Sequence, residues 1–151
     1  MDHKDCINAL NDLIQINNDR ISGYERAIKE LPTGESLDLK DLFNSMIAES
    51  RTHSNELAEM VDSYGGKTAE GSTITGKLYR AWMDVKALFG GSERETIINN
   101  CLHGEEAALK AYEMALDDDD VMNQTKALIS RQKTELMGSQ TRIRALAGMN
   151  G

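Results

Sequence analysis

Proline and aromatic residues are scarce in this chain. Its 151 residues include a single proline, Pro32, and aromatic residues make up 5% of the sequence. Strands draw on aromatic and β-branched residues, whereas Ala, Leu, Met, Glu, Lys and Gln fill the long segments here. The composition therefore predicts an all-α protein, and the length fits one domain, residues 1–151.

Basic charge and long apolar runs are lacking as well. The 17 Lys plus Arg stand against 25 Asp plus Glu, which gives a net charge of −8. Without a basic stripe, nucleic acid and an anionic membrane surface are poor partners. No apolar run approaches the roughly 18 residues of a membrane span, and residues 1–5 have charge where a signal peptide needs an apolar stretch. We therefore expect a cytoplasmic protein.

Cysteine and histidine are few, and their spacing shows no catalytic or metal motif. Cys6 and Cys101 are far apart, so we expect two free thiols. His3 and His103 are expected at the surface. No nucleophile with a neighbouring base and no phosphate-binding glycine loop is present, so the sequence indicates no enzyme class.

Four long segments have apolar residues at alternating steps of three and four, which is typical of amphipathic helices. The predicted helices span about 4–31, 37–64, 93–116 and 119–147. Gly65 and Gly66 are expected to end the second helix. The acidic residues 117–120 are expected to form a turn and the first turn of the fourth helix, where the helix dipole favours negative charge. Short connections make sequential helices antiparallel neighbours.

The connection between the second and third predicted helices is the longest. Within it, apolar residues at helical spacing predict a short crossover helix over about 74–89, with Trp82 near its centre. This helix either covers the core or docks a partner protein. A crossover that climbs the bundle would make the second and third helices parallel.

Polar residues interrupt each apolar stripe near its middle. Counting outward from the turns places Asn17 beside His53 and Glu105 opposite about Gln132. We therefore expect a buried polar layer halfway along the core. Its predicted members are Asn17, Tyr24, Ser50, His53, Glu105, Tyr112, Gln132 and Ser139.

Burying such groups costs several kcal/mol unless hydrogen bonds or a bound ion satisfy them. A divalent metal, iron or manganese, is one solution. Its candidate ligands are His53, Glu105, Gln132, Asn17 and Glu49. Hydrogen bonds within the layer are the other solution. A di-iron carboxylate site takes about one Glu from each of two helices and a Glu-x-x-His pair from each of the other two. Asn17 and Ser50 stand where carboxylates would be needed, so the ligand count favours the hydrogen bonds.

A resemblance to a known family rests on four segments. They are NDLI at 11–14, NND at 17–19, GYERA at 23–27 and GEEAALKAYEMAL at 104–116. Together they resemble a bacterial ferritin-like bundle family of unassigned function. The resemblance implies a ferritin-like antiparallel four-helix bundle with a long crossover connection. Members of the wider superfamily often bind two irons and oxidise them or reduce peroxide.

The positions that would correspond to such a site are Asn17, Ser50, His53, Glu105 and Gln132. Because Asn17 and Ser50 replace carboxylates, iron oxidation and storage are not expected. The leading hypothesis is a non-enzymatic bundle with a degenerate metal site, related to stress and self-associating as a dimer. One alternative is an iron- or manganese-binding oxidoreductase that uses His53 and Glu105, with Glu49 or Glu56 swung inward. Another is a helical adaptor that binds a protein through the crossover helix.

Overall fold

A computed structural model describes residues 3–31, 37–68 and 94–148 of the chain. They form four helices, α1 (Lys4–Glu30), α2 (Leu37–Ser63), α3 (Arg94–Asp117) and α4 (Asn123–Gly148). These three stretches contain no β-strand, and the all-α prediction is confirmed. The predicted crossover helix at 74–89, with Trp82, lies outside the described residues. No helix within the described part is long and apolar enough to cross a membrane.

The four helices pack as two antiparallel pairs. α1 packs mainly against α2, and α3 against α4, while α1 also meets α3 and α2 meets α4 along the sides. Near the start of α3, Arg94 makes two hydrogen bonds to Asp38 near the start of α2, at 3.1 and 2.8 Å. The starts of α2 and α3 therefore lie at one end of the bundle. The two helices are parallel, as predicted.

The end of α2 shows why glycine is needed there. Gly65 has a φ of 78°, in the left-handed region that glycine enters without steric cost. The Gly66 N–H donates to Val61 O at 3.0 Å, which closes the C-terminal turn. A Cβ on Gly66 would lie 2.7 Å from Ile7 Cδ1 of α1. Both glycines end the helix, as the sequence predicted, and bring the chain against the start of α1.

The start of α4 differs from the prediction. This helix begins at Asn123 rather than at about 119. The Asp120 N–H donates to Asp118 Oδ1 at 2.9 Å, and the Val121 N–H donates to Asp118 O at 3.1 Å. The Asp118 side chain thus competes with helical hydrogen bonding, as Asp does in turns. Asp117 is the last residue of α3, residues 118–120 belong to the turn, and none of the four lies within the first turn of α4.

The apolar core consists of two clusters. The lower core, near the start of α1, includes Leu13, Leu57 and Ile129. The upper core, near the start of α2, includes Phe43, Ile98 and Ile143. Buried polar side chains lie between them along each helix. The fold thus places a polar layer at the middle of the bundle.

Candidate functional site: the buried polar layer

The eight residues expected in the polar layer all lie inside the bundle. Each is at most 5% exposed to solvent. They are Asn17, Tyr24, Ser50, His53, Glu105, Tyr112, Gln132 and Ser139. Sequence reasoning missed a ninth member, Arg20, which is 3% exposed. The positive charge of Arg20 can offset the negative charge of carboxylates in the layer.

Arg20 lies between two carboxylates. Its Nη2 is 2.8 Å from Glu105 Oε1 and 3.5 Å from Glu49 Oε1. Its Nη1 donates to Asn17 Oδ1 at 3.1 Å, and its guanidinium carbon lies 5.9 Å from the centre of the Tyr24 ring. Burial by itself would lower the pKa of Arg20, but the negative charge of Glu105 raises it above the ordinary value. The guanidinium therefore remains charged inside the core.

Glu105 is the most buried carboxylate near Arg20, with 1% of its surface exposed. Its Oε1 accepts hydrogen bonds from Arg20 and from the Tyr24 hydroxyl. Burial raises the pKa of Tyr24 well above its usual value, and the charge of Glu105 raises it further. Tyr24 therefore stays protonated and acts as a donor. Among the described residues, Glu105 Oε2 and Arg20 Nε have no hydrogen-bond partner.

A second group of contacts is formed mainly by uncharged side chains and crosses the bundle. Asn17 Nδ2 donates to Tyr112 Oη at 2.9 Å, and the Tyr112 hydroxyl donates to Gln132 Oε1 at 2.7 Å. Gln132 Nε2 then donates to His53 O at 3.2 Å and to Glu56 Oε1 at 3.1 Å. Burial raises the pKa of Tyr112, so its hydroxyl stays protonated. This chain of hydrogen bonds connects α1, α3, α4 and α2.

The register between α3 and α4 differs from the one expected. Tyr112, rather than Glu105, faces Gln132. Because the helices are antiparallel, Glu105, seven residues before Tyr112, lies at the level of Ser139, seven residues after Gln132. Ser139 Oγ is 2.8 Å from both carboxylate oxygens of Glu49. α4 begins at Asn123 rather than at about 119, and this longer turn shifts the register in the observed direction.

The register between α1 and α2 follows the prediction. Ser54 Oγ lies 3.5 Å from Ile14 O and 3.0 Å from Asn18 Oδ1, so this part of α2 lies beside Asn17 and brings His53 close to its level. The imidazole of His53, however, is engaged by α4. Its Nε2 is 3.1 Å from Glu135 Oε2, and its Nδ1 has no partner among the described residues.

Glu135 differs from Glu105 in its exposure, since 39% of its side chain is open to solvent. Partial burial raises the pKa of Glu135, but the hydrogen bond from His53 and the charge of Arg131, 2.7 Å away, outweigh it and hold the pKa below its usual range. Ser50 contributes no contact between helices that the structure shows. Its hydroxyl donates to Met46 O at 2.8 Å, within α2.

These donors do not fit a di-iron centre. Within residues 3–31, 37–68 and 94–148, no three His, Cys, Asp or Glu side chains form a group that could hold a metal ion. Glu105 Oε1 already accepts from Arg20 and Tyr24. A divalent cation at this carboxylate would meet the positive charge of Arg20 at close range, where repulsion in a buried site is strong.

A cavity of about 280 Å³ lies between α1 and α3 and reaches the charged part of the layer. Its lining includes Asp19, Arg20, Tyr24, Asn100, Cys101 and Glu105. Cys101 and Cys6 are both free, as expected. Burial, and to a lesser extent Glu105, raises the pKa of the Cys101 thiol to about 12. The cavity therefore presents a protonated thiol, which is a weak nucleophile.

A family model described as Domain of unknown function (DUF2383) matches residues 5–118. The chain belongs to this family. A crystal structure described as ferritin-like, diiron-carboxylate proteins from Bacillus anthracis str. Ames is similar to the chain, with a TM-score of 0.70 and 18% sequence identity. The similarity covers 100% of this chain and 99% of that one. No curated protein matches the chain.

The similarity to the Bacillus anthracis structure confirms the ferritin-like four-helix bundle that the sequence predicted. At 18% identity it shows the fold alone. The chemistry of the DUF2383 chain has to be argued from its own side chains, foremost Arg20 and Glu105.

Proposed function

We propose that this chain is a ferritin-like bundle without enzymatic activity, in which a guanidinium takes the place of bound metal. The observation that supports this is Arg20, 3% exposed and 2.8 Å from Glu105. Buried carboxylates need a counter-charge, because an unpaired charge in the core is costly. In di-metal bundles the ions supply that charge. Here the Arg20 side chain of α1 supplies the positive charge.

The remaining polar side chains support the same proposal. Asn17 and Gln132, two of the predicted metal ligands, bind Tyr112 from either side. The amide oxygens that a metal would need are both engaged, since Asn17 Oδ1 accepts from Arg20 and Gln132 Oε1 accepts from Tyr112. Glu49 accepts from Ser139 and lies beside Arg20. Each predicted ligand except the His53 imidazole is thus bound to another member of the layer.

Such a network has a structural function of its own. The hydrogen bonds through Tyr112 and Gln132 join all four helices at one level, which specifies their register. A buried polar network that is largely satisfied can define a unique arrangement, whereas apolar side chains alone allow the helices to slide. The layer is therefore proposed to serve the bundle rather than a substrate.

Metal content tests the proposal directly. Protein purified without chelator should contain iron and manganese far below one atom per chain by elemental analysis. Anaerobic titration with Fe(II), followed by calorimetry, should show no saturable binding. Peroxide consumption and Fe(II) oxidation should match those of buffer. Stoichiometric iron that is lost in both His53→Ala and Glu105→Gln would establish the oxidoreductase alternative instead.

Arg20→Met gives a matched control for that titration. The substitution keeps an apolar stem of similar length but removes the guanidinium from between Glu49 and Glu105. If Arg20 excludes divalent cations by charge, this variant should bind Fe(II) or Mn(II) more tightly than the wild type does. An equal lack of binding in a folded Arg20→Met protein would show that the guanidinium is not what excludes metal.

Several predictions from the sequence call for other measurements. Dimer formation, a role in stress and a cytoplasmic location stay predictions, as does a partner-binding role for the crossover helix around Trp82. Light scattering at several protein concentrations would measure the oligomeric state. A shielded Trp82 in the monomer, measured by acrylamide quenching, would count against the adaptor hypothesis.

A further inference from the structure

A second group of potential ligands lies at the lower end of the bundle, away from the polar layer. His3 precedes α1, and Cys6 lies in the first turn of that helix. Residues three apart lie on the same face of a helix. Met122 comes from the turn that leads into α4. The fold thus brings an imidazole, a thiol and a thioether together from two distant parts of the chain.

Met122 contacts both other residues, His3 through its sulfur and Cys6 through its backbone N–H. His3 Nδ1 lies 3.2 Å from Met122 Sδ. The Met122 N–H donates to Cys6 Sγ at 3.3 Å. A nitrogen and a sulfur bound to one three-coordinate ion, at about 2.0 and 2.3 Å and an angle of about 120°, lie roughly 3.7 Å apart. The imidazole and the thioether are therefore already close to the separation that a shared ion requires.

The imidazole is also held in place, although the sequence suggested an ordinary surface histidine. The His3 ring stacks on Tyr64, with 4.5 Å between the ring centres. The Tyr64 hydroxyl is 2.6 Å from Thr125 Oγ1 of α4. The stack therefore ties His3 to both α2 and α4. Outer contacts of this kind orient metal-binding side chains.

Burial differs within the group in a way that suits ion entry. Cys6 is 2% exposed, whereas His3 and Met122 are partly exposed. An ion could meet the imidazole and thioether at the surface and then reach the buried sulfur.

The donor types select one kind of ion. Thiolate and thioether sulfurs are soft ligands that favour Cu(I), while imidazole binds copper readily. Hard cations such as Mg²⁺ and Ca²⁺ need oxygen ligands instead. We propose that His3 Nδ1, Cys6 Sγ and Met122 Sδ form a three-coordinate Cu(I) site. Binding converts the Cys6 thiol to a thiolate and releases its proton, with no change in the oxidation state of the ion.

Competition for Cu(I) under anaerobic, reducing conditions tests the site. The full chain, with its thiols reduced, is titrated with Cu(I) in the presence of bicinchoninate, a coloured Cu(I) chelator. We expect one Cu(I) per chain and an ultraviolet thiolate-to-Cu(I) absorption band. Cys6→Ser should abolish the band. Met122→Leu should lower the affinity by more than about tenfold, since even outer-shell changes cost roughly 10- to 100-fold.

Cys101→Ser and Met114→Leu are the matched controls, because they remove a thiol and a thioether elsewhere in the bundle. Both should retain the wild-type affinity and absorption band. Circular dichroism is used to check that each variant is folded, and Met122→Leu keeps an apolar side chain at its position. Unchanged affinity in a folded Met122→Leu protein, or loss of the band in Cys101→Ser, would overturn the proposal.

Discussion

The two sides of the polar layer contain similar ion pairs in different surroundings. On the α1–α3 side, Arg20 and Glu105 are 2% and 1% exposed at their side chains. On the α2–α4 side, Arg131 and Glu135 are 49% and 39% exposed. Their separations are nearly equal, at 2.8 and 2.7 Å. Distance alone would therefore assign the two pairs the same importance.

Because the two pairs differ in burial, removing one partner should cost the two pairs different amounts of folding free energy. An exposed pair can lose one partner and regain water, so it contributes about 0 to 1 kcal/mol. A buried charge that loses its partner has no water to replace it, and the loss costs about 3–5 kcal/mol. The stability of the bundle therefore depends more on the Arg20–Glu105 pair than on the Arg131–Glu135 pair. The two sides should respond very differently to equivalent substitutions.

The largest effect is expected for Arg20→Met, which removes the counter-charge of Glu105 from the core. The free energy of unfolding should fall by about 3–5 kcal/mol at neutral pH. Urea unfolding followed by circular dichroism measures it. Arg131→Met, the equivalent change on the exposed side, should cost less than about 1 kcal/mol. Equal losses in the two variants would remove the distinction between the two sides.

A smaller effect is expected for Tyr112→Phe, which removes the hydroxyl at the centre of the uncharged chain. Gln132 Oε1 then loses the donor that lies 2.7 Å away. Leaving a buried polar group unsatisfied costs about 1–3 kcal/mol. Thermal and urea unfolding should both report the loss. Phenylalanine preserves the ring, so a cost below about 0.5 kcal/mol would mean that this chain of hydrogen bonds does not stabilise the fold.

The smallest effect is expected for Glu135→Gln, and it should depend on pH. Because the folded pKa of Glu135 lies below its unfolded value, the ionised group stabilises the fold above the unfolded pKa of about 4.3. That contribution is lost as pH falls through the folded pKa. Wild type should exceed Glu135→Gln by less than about 1 kcal/mol at pH 7, and by nothing in strong acid. A difference that grows on acidification would contradict this account.

Much of the fold could be predicted because it follows from periodicity. The alternating steps of three and four placed Leu10, Phe43 and Leu136 in the core, where each is fully buried. Gly65 marked the end of α2 because its φ of 78° suits glycine. The layer could be predicted for the same reason, since polar residues at stripe positions must face inward.

Arg20 could not be predicted by periodicity alone. From Asn17, a step of four leads to Ile21 and a step of three leads to Arg20, and both steps fit a helix. An apolar residue such as Ile21 is the more usual occupant of a core position. In the structure, however, Arg20 is 3% exposed and Ile21 is only partly buried. The missing signal was electrostatic. A buried Glu105 requires a cation, and Arg20 lies one helical turn from Asn17 on the same face of α1.

The register of α4 was missed for a different reason. Counting from a turn assumes its length, and a run of acidic residues can belong either to a turn or to a helix start. The hydrogen bonds of Asp118 decided in favour of the turn. The predicted partner of Glu105 on α4 was wrong by seven residues, in the direction that the longer turn explains. Contacts across helices thus depend on loop details that composition does not specify.

A double-mutant cycle on Arg20 and Glu105 tests the central claim most directly. The free energy of unfolding is measured for wild type, Arg20→Met, Glu105→Leu and the double variant. We expect a coupling energy of at least about 2 kcal/mol, with the double variant more stable than Arg20→Met alone. Additive losses, with coupling within about 0.5 kcal/mol of zero, would show that Arg20 is not the counter-charge of the layer.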